Sequence, residues 1–83
     1  MIGLKEEILE KLIKRAAEVF NKKPEELSEA TRFSEDLQAK SVNIVQITTV
    51  MEVEYDVEIP YMEFRRKKTL GEAAEYIKTL VEG

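Results

Sequence analysis

The centre of the chain reads Phe33-Ser34-Glu35-Asp36-Leu37-Gln38-Ala39-Lys40-Ser41-Val42. Its second serine opens the stretch from Ser41 to Tyr55, whose many β-branched residues would also suit a strand. The larger apolar residues of this stretch, however, recur at intervals of three and four, and its length is unusual for a strand. We therefore predict a helix over residues 41–55, with Ser41 at its amino end as the N-cap.

Two amphipathic stretches flank this centre. Residues 4–20 place their apolar side chains on one stripe at helical period, and Asn21 and Pro24 after them favour a helix end. Farther along, Thr69-Leu70-Gly71-Glu72 has the spacing of a capping box, and an apolar stripe continues from there to about Val81. Each of the two stretches predicts one main helix.

The connection over residues 21–40 is long for a compact domain, which is typical of a loop that has a function. Residues 24–27 can form a single turn, and Phe33 and Leu37 are expected to anchor the loop to the core. Residues 60–67 predict a short helix or turn. The predicted fold is an all-α bundle of three main helices and one short helix, forming a single domain over residues 1–83.

Composition excludes several classes of function. The chain has 83 residues, of which 43% are hydrophobic and 36% charged, and this is too apolar for a disordered tail. It contains neither cysteine nor histidine, so disulfides, thiolate chemistry and the usual neutral-pH general base are absent. We therefore expect no intrinsic catalysis and no metal site. The formal net charge of −4 argues against general nucleic-acid binding.

No apolar run approaches the roughly 20 residues needed to span a bilayer, and no segment has the pattern of a signal peptide. We therefore expect a cytoplasmic protein that does not insert into membranes.

The central segment resembles the acyl carrier proteins, whose pattern ahead of the second helix is Phe-x-x-Asp-Leu-Gly-x-Asp-Ser-Leu. Residues 54–60, Glu-Tyr-Asp-Val-Glu-Ile-Pro, are similar to that family's Glu-Phe-x-x-x-Ile-Pro segment. Residues 24–27 match its short turn, and residues 69–77 resemble its closing helix. The resemblance extends without gaps from Phe20 to Ile77.

The resemblance implies that Ser41 carries a 4′-phosphopantetheine arm, whose thiol holds an acyl group as a thioester. It also implies two kinds of partner, a phosphopantetheinyl transferase and acyl-transferring biosynthetic enzymes, and we expect a monomer. A phosphodiester on Ser41 would face the unpaired N–H groups at a helix amino terminus. A chain without cysteine would thus use the thiol of the attached phosphopantetheine.

Several residues depart from the family pattern. Lys40 replaces the aspartate before the serine, Gln38 replaces the glycine, and Val42 replaces the leucine. Residues 65–68, Arg-Arg-Lys-Lys, add a basic run, although such a run is often only a solvated face. We interpret the chain as a carrier for a specialised fatty-acid, lipid or polyketide pathway. Its expected partner-binding residues are Lys40, Val42, Asn43, Val45, Gln46 and Thr49.

The family also shelters acyl chains between its helices. The residues expected to line that interior are Phe33, Ile47, Met51, Ile59, Phe64, Ala73, Ala74 and Ile77. Phe64 is bulky for its position, and Lys67 stands where an apolar residue is usual in the family. We therefore expect acyl chains to be held less deeply than in a typical member.

Two alternatives remain open at the level of sequence. One is an aminoacyl or peptidyl carrier, which would share the fold and the serine. The other is an unmodified helical adaptor that makes protein contacts only. The mass of the native protein separates these readings, since it reports both the modification and the cargo.

Overall fold

The fold is a bundle of helices. The computed structural model describes residues 2–83, and within them the only extended pairing is an isolated bridge between Arg32 and Thr69. The predicted all-α architecture of three main helices and one short helix is confirmed, with the long connection between the first two. The elements are α1 (Leu4–Phe20), a 3₁₀ turn (Pro24–Glu26), α2 (Ser41–Tyr55), α3 (Tyr61–Phe64) and α4 (Leu70–Glu82).

The ends of the main helices follow their capping chemistry. Asn21 and Asp56 adopt the left-handed conformation after α1 and α2, with φ of 55° and 52°. Before α4, the Glu72 N–H donates to Thr69 Oγ1 at 3.1 Å. The Glu72 carboxylate accepts from the Lys68 N–H at 3.0 Å. The predicted cap at Thr69 is therefore present, but the box is not closed, because the Glu72 carboxylate binds the N–H of Lys68 and not that of Thr69.

The prediction that Ser41 is the N-cap of α2 is wrong by one residue. Lys40 occupies the cap position in an extended conformation, and Ser41 is the first helical residue. The Asn43 side chain, three residues after the cap, accepts a hydrogen bond from the Lys40 N–H at 2.9 Å. Because Ser41 lies inside the helix and not at its cap position, the Ser41 hydroxyl does not cap the first turn.

The core lies between the three main helices and extends to α3. The Phe64 side chain is completely buried, and its ring packs edge-on against Phe33 with 5.7 Å between ring centroids. The prediction that Phe33 and Leu37 anchor the long connection is confirmed, since both are buried. The main core residues are Ile8, Leu12, Ala16, Phe33, Leu37, Ile47, Met51, Ile59, Phe64, Leu70, Ala73, Ala74 and Ile77.

The half-buried Tyr55 joins the end of α2 to α1. Its hydroxyl donates to the Glu7 carboxylate at 2.8 Å, and the Lys11 ammonium lies 4.9 Å from the centre of its ring. Burial raises the pKa of Tyr55, and the bond to Glu7 raises it further. Tyr55 therefore stays a neutral donor over the ordinary pH range.

The long connection is fastened to the start of α4 by backbone hydrogen bonds. The Phe33 N–H donates to the Lys68 carbonyl at 3.0 Å, and the Leu70 N–H donates to the Thr31 carbonyl at 3.0 Å. The Gly71 N–H donates to the Glu29 carbonyl at 2.9 Å. A Cβ at Gly71 would lie only 3.0 Å from that carbonyl oxygen. Glycine is therefore needed for the two segments to approach this closely.

No helix within residues 2–83 combines the length and the apolar character needed to cross a membrane.

Gln38 has a φ of 52°, a left-handed conformation at the position where the resembling family has glycine. A left-handed non-glycine residue costs about 1–2 kcal/mol, and glycine loses about 0.5–1 kcal/mol in chain entropy. We predict that Gln38→Gly raises the free energy of unfolding by up to about 1 kcal/mol. Chemical denaturation measures the change.

The control is the same substitution inside α2. Gln46 is exposed and helical, so Gln46→Gly should lower the free energy of unfolding by about 1 kcal/mol. Equal signs for the two variants would contradict the assignment of strain to Gln38.

Candidate functional site

Ser41 is exposed at the amino end of α2. Within residues 2–83, no hydrogen bond joins its Oγ to another side chain or to the backbone, and the hydrogen bond at the start of α2 joins the Lys40 N–H to the Asn43 side chain instead. The hydroxyl is therefore free of any structural role and accessible to another protein. These are the properties that a site of covalent modification requires.

Ser41 lies at the edge of a cleft of about 640 Å³ between the end of the long connection and the segment after α3. The cleft exists because the Phe33–Lys68 backbone bond holds these two segments side by side. Its apolar surface comes from Phe33 and Ile44, among others. The remaining lining residues are Ser34, Glu35, Ala39, Lys40, Tyr61, Arg65, Arg66, Lys67 and Lys68.

The charges around this cleft, which we call the basic cleft, are almost all positive. Lys40 and the run from Arg65 to Lys68 contribute five cations, against the single carboxylate of Glu35. That carboxylate already accepts from the Arg32 guanidinium at 2.6 Å. The basic cleft therefore has a strong positive potential beside Ser41.

Asp36, the aspartate of the central motif, shapes the loop before the serine. Its carboxylate accepts from the Arg32 backbone N–H at 2.8 Å and from the Arg32 guanidinium at 3.0 and 3.2 Å. The side-chain bond lowers the pKa of Asp36, and the backbone bond lowers it further. Asp36 thus stabilises a loop turn and does not itself line the basic cleft.

The expected partner-binding residues lie at the amino end and along the outside of α2. Val42 is 60% exposed and Val45 48% exposed, which is unusual for valine side chains. Asn43 is half-buried and is engaged in capping, so it offers less surface than expected. The other expected residues, Lys40, Gln46 and Thr49, are exposed.

All eight residues expected in the acyl interior are buried. Phe64 fills the space next to Phe33, as its bulk suggested. Lys67 is half-buried, and its ammonium lies 4.8 Å from the centre of the Tyr76 ring. The amphipathic side chain of Lys67 therefore covers this edge of the bundle while its charge remains near the surface.

Sequence reasoning missed three features of the site. Arg32 carries no motif signal, and its role depends on the turn that brings it to Asp36. The run from Arg65 to Lys68 was visible in the sequence, but nothing in its spacing placed it opposite Ser41. Tyr61 and Ile44 also line the cleft without having been expected there.

Comparison with known proteins agrees with this geometry. Residues 10–77 match the sequence model of a family described as the phosphopantetheine attachment site. The acyl carrier protein of Rickettsia canadensis is 37% identical over 73 residues, covering 88% of this chain and 85% of that protein. The acyl carrier protein of Wolinella succinogenes is 37% identical over 62 residues, covering 75% and 82% of the two chains.

The bond between Arg32 and Asp36 generates a prediction about acid pH. Because the pKa of Asp36 is lowered in the folded protein, this bond stabilises the fold above the ordinary pKa of 3.8. This contribution to the free energy of unfolding is lost as the pH falls from 3.8 through the lowered pKa of Asp36. In Arg32→Gln, we expect the pKa of Asp36 to rise towards 3.8, though not fully, since the backbone donor remains. Carbon-detected NMR titration of the carboxyl group measures it.

The control is Arg15→Gln, which removes a different guanidinium that pairs with Glu18 at 3.4 Å. It should leave the pKa of Asp36 unchanged. An equal rise in both variants would mean that overall charge, rather than the local bond, sets this pKa.

Proposed function

The chain belongs to the acyl carrier proteins and contains their 4′-phosphopantetheine attachment domain, and on this basis we propose that Ser41 is the attachment residue. The bound group supplies a thiol that holds an acyl cargo as a thioester. The observation that carries the proposal is the exposed hydroxyl of Ser41, without a partner within residues 2–83, at the amino end of α2 and the edge of the basic cleft.

The residues around Ser41 fit a phosphodiester. The first turn of α2 presents backbone N–H groups that have no helical partner, and these favour an anion. Lys40 is exposed beside the serine, and no carboxylate of residues 2–83 lies within 4.0 Å of its ammonium. Lys40 therefore pairs with the phosphodiester and holds the base of the arm near the helix end.

Acyl carrier proteins hold cargo for other proteins and are not catalysts. We propose the same for this chain, as a single carrier domain over residues 1–83. Ser41 is its attachment point, and its sequence contains no histidine or cysteine to act as a general base or nucleophile. The cytoplasmic location and the monomeric state expected from the sequence stay predictions.

The partners of the proposed carrier are a phosphopantetheinyl transferase and acyl-transferring enzymes of a specialised pathway. The surface beside Ser41 supports this specialisation. Val42 and Val45 are exposed there, and the first turn of α2 has no acidic residue with which a basic enzyme face could pair. An enzyme that docks there gains by burying these valines. The proposed contact residues are Lys40, Val42, Asn43, Val45, Gln46 and Thr49.

Attachment at Ser41 is tested with coenzyme A and a broad-specificity phosphopantetheinyl transferase. The intact mass of the wild type should increase by one phosphopantetheine group, and Ser41→Ala should show no increase. Since Ser41 is not the N-cap, its replacement should cost less than the ~1 kcal/mol of a lost cap. The matched control is Ser34→Ala. Ser34 is a second exposed serine of the cleft, and the variant should be modified like the wild type. Modification of Ser41→Ala would refute the assignment.

The filled interior makes a further prediction about cargo. Phe64 is completely buried against Phe33, so attached acyl groups of increasing length should raise the melting temperature only slightly. Phe64→Leu makes room without the roughly 3–5 kcal/mol cost expected for Phe→Ala. In this variant the melting temperature should rise steadily with chain length, because the cargo stabilises only the folded state.

The control is Phe20→Leu, at the half-buried end of α1. It should behave like the wild type. A steady rise with chain length already in the wild type would show that Phe64 moves aside for the cargo.

A further inference from the structure

The basic cleft is a local exception in an acidic chain. The protein has a formal net charge of −4, yet five cations surround one carboxylate at the edge where Ser41 lies. Such a concentration of one sign creates a potential that attracts anions and steers charged partners. The position of the charge, next to the proposed attachment residue, makes it relevant to every protein that approaches the arm.

The cations of the cleft are poorly neutralised by the protein itself. Glu35 is paired with Arg32, which lies outside the cleft lining. Arg66 reaches Glu63 only at 3.7 Å, with its side chain 70% exposed. Within residues 2–83, no carboxylate lies within 4.0 Å of the charged groups of Arg65 or Lys68. One phosphodiester on Ser41 would offset one of these charges and leave the others available.

An enzyme that acts on the arm must come close to Ser41. Ser41 and Lys40 form an edge of the cleft, so the face of such an enzyme comes to lie against the basic residues as well. A basic face would be repelled there, whereas an acidic face would be attracted and oriented. Val42 and Val45, on the first turns of α2, add an apolar surface beside the charges.

We propose that the enzymes that act on the arm present an acidic rim to the basic cleft, with carboxylates opposite Arg65, Arg66 and Lys68. Next to that rim, an apolar patch covers Val42 and Val45. This inference rests on the proposed attachment at Ser41 and adds the chemistry of the partner's docking face.

The main experiment measures loading of the carrier by a phosphopantetheinyl transferase whose carrier-binding face is basic. Three proteins are compared over a range of salt concentrations: wild type, Arg65→Glu/Arg66→Glu and Lys22→Glu/Lys23→Glu. Both double variants replace two adjacent exposed cations with two carboxylates, so their net charges are equal. They differ only in position, at the cleft or after α1.

We expect the wild type to be loaded slowly at low salt and faster as salt screens the repulsion. Arg65→Glu/Arg66→Glu should be loaded about tenfold faster at low salt, and its rate should fall as salt is added. Lys22→Glu/Lys23→Glu should behave like the wild type. If the wild-type rate falls with salt, or if the two double variants have equal rates, the proposal is wrong.

A second measurement includes the apo protein, so that part of it does not depend on attachment. Apo protein and protein loaded at Ser41 are titrated with a short glutamate-rich peptide that contains leucine, and amide shifts are followed by NMR. Shifts at residues 40–45 and 64–68 in both forms, lost in Arg65→Glu/Arg66→Glu alone, support the acidic rim. If the peptide binds the apo form but not the loaded form, the arm's own phosphodiester fills the cleft, and the proposal is wrong.

The two measurements separate the two hypotheses. If no variant gains mass, attachment at Ser41 fails, and the titration of the apo protein decides the charge of the docking face. No binding of the acidic peptide, or equal binding of its lysine counterpart, then refutes the acidic rim.

Discussion

The backbone pairing between residues 29–33 and residues 68–71 is the constraint on which the site depends. It joins the loop that precedes α2 to the start of α4, far apart in the sequence. Gly71 permits the approach, because a side chain there would press on the Glu29 carbonyl. Through the bond from Phe33 to Lys68, the same pairing sets the basic run opposite Ser41. Loss of the pairing would separate the two halves of the cleft while leaving each helix intact.

The loop achieves its shape with residues that differ from the resembling family pattern. Gln38 adopts a left-handed backbone at the position where the family pattern has glycine, so the turn forms at a cost in stability. Asp36 holds the same turn by binding Arg32 through both backbone and side chain. These two residues place Lys40 at the start of α2, where its backbone N–H donates to the Asn43 side chain and the residue lines the cleft. Lys40 thus brings a cation to the position where the resembling family pattern has an aspartate.

The sequence predicted the helices because a buried face repeats with the period of the helix. The bounds of α1, 4–20, and the end of α2 at residue 55 were predicted correctly, the start of α2 was predicted to within one residue, and the 3₁₀ turn at residues 24–26 falls where proline favours it. Capping was less predictable, because Ser41 and Asn43 are both good acceptors near the helix start. Only the backbone conformation of Lys40 decides between them.

The cleft lay beyond sequence reasoning for a different reason. Periodicity reports which side chains are buried, but Arg65, Arg66 and Lys68 are exposed, so they leave no periodic signal. Their meeting with Ser41 is a product of tertiary packing through Phe33 and Phe64. The same limit applies to Arg32, whose partner is four residues away on a turn that no motif announces.

The placement of the aromatic side chains makes the protein its own optical reporter. The chain has no tryptophan and three tyrosines, so tyrosine alone dominates its near-ultraviolet absorption and fluorescence. Tyr61 lines the cleft, Tyr76 lies beneath the ammonium of Lys67, and Tyr55 joins α1 to α2. Emission from the first two responds to what occupies the cleft and to displacement of Lys67. We expect emission from the third to respond to separation of the helices, and because the three signals sum in one band, an unlabelled sample reports binding and unfolding together.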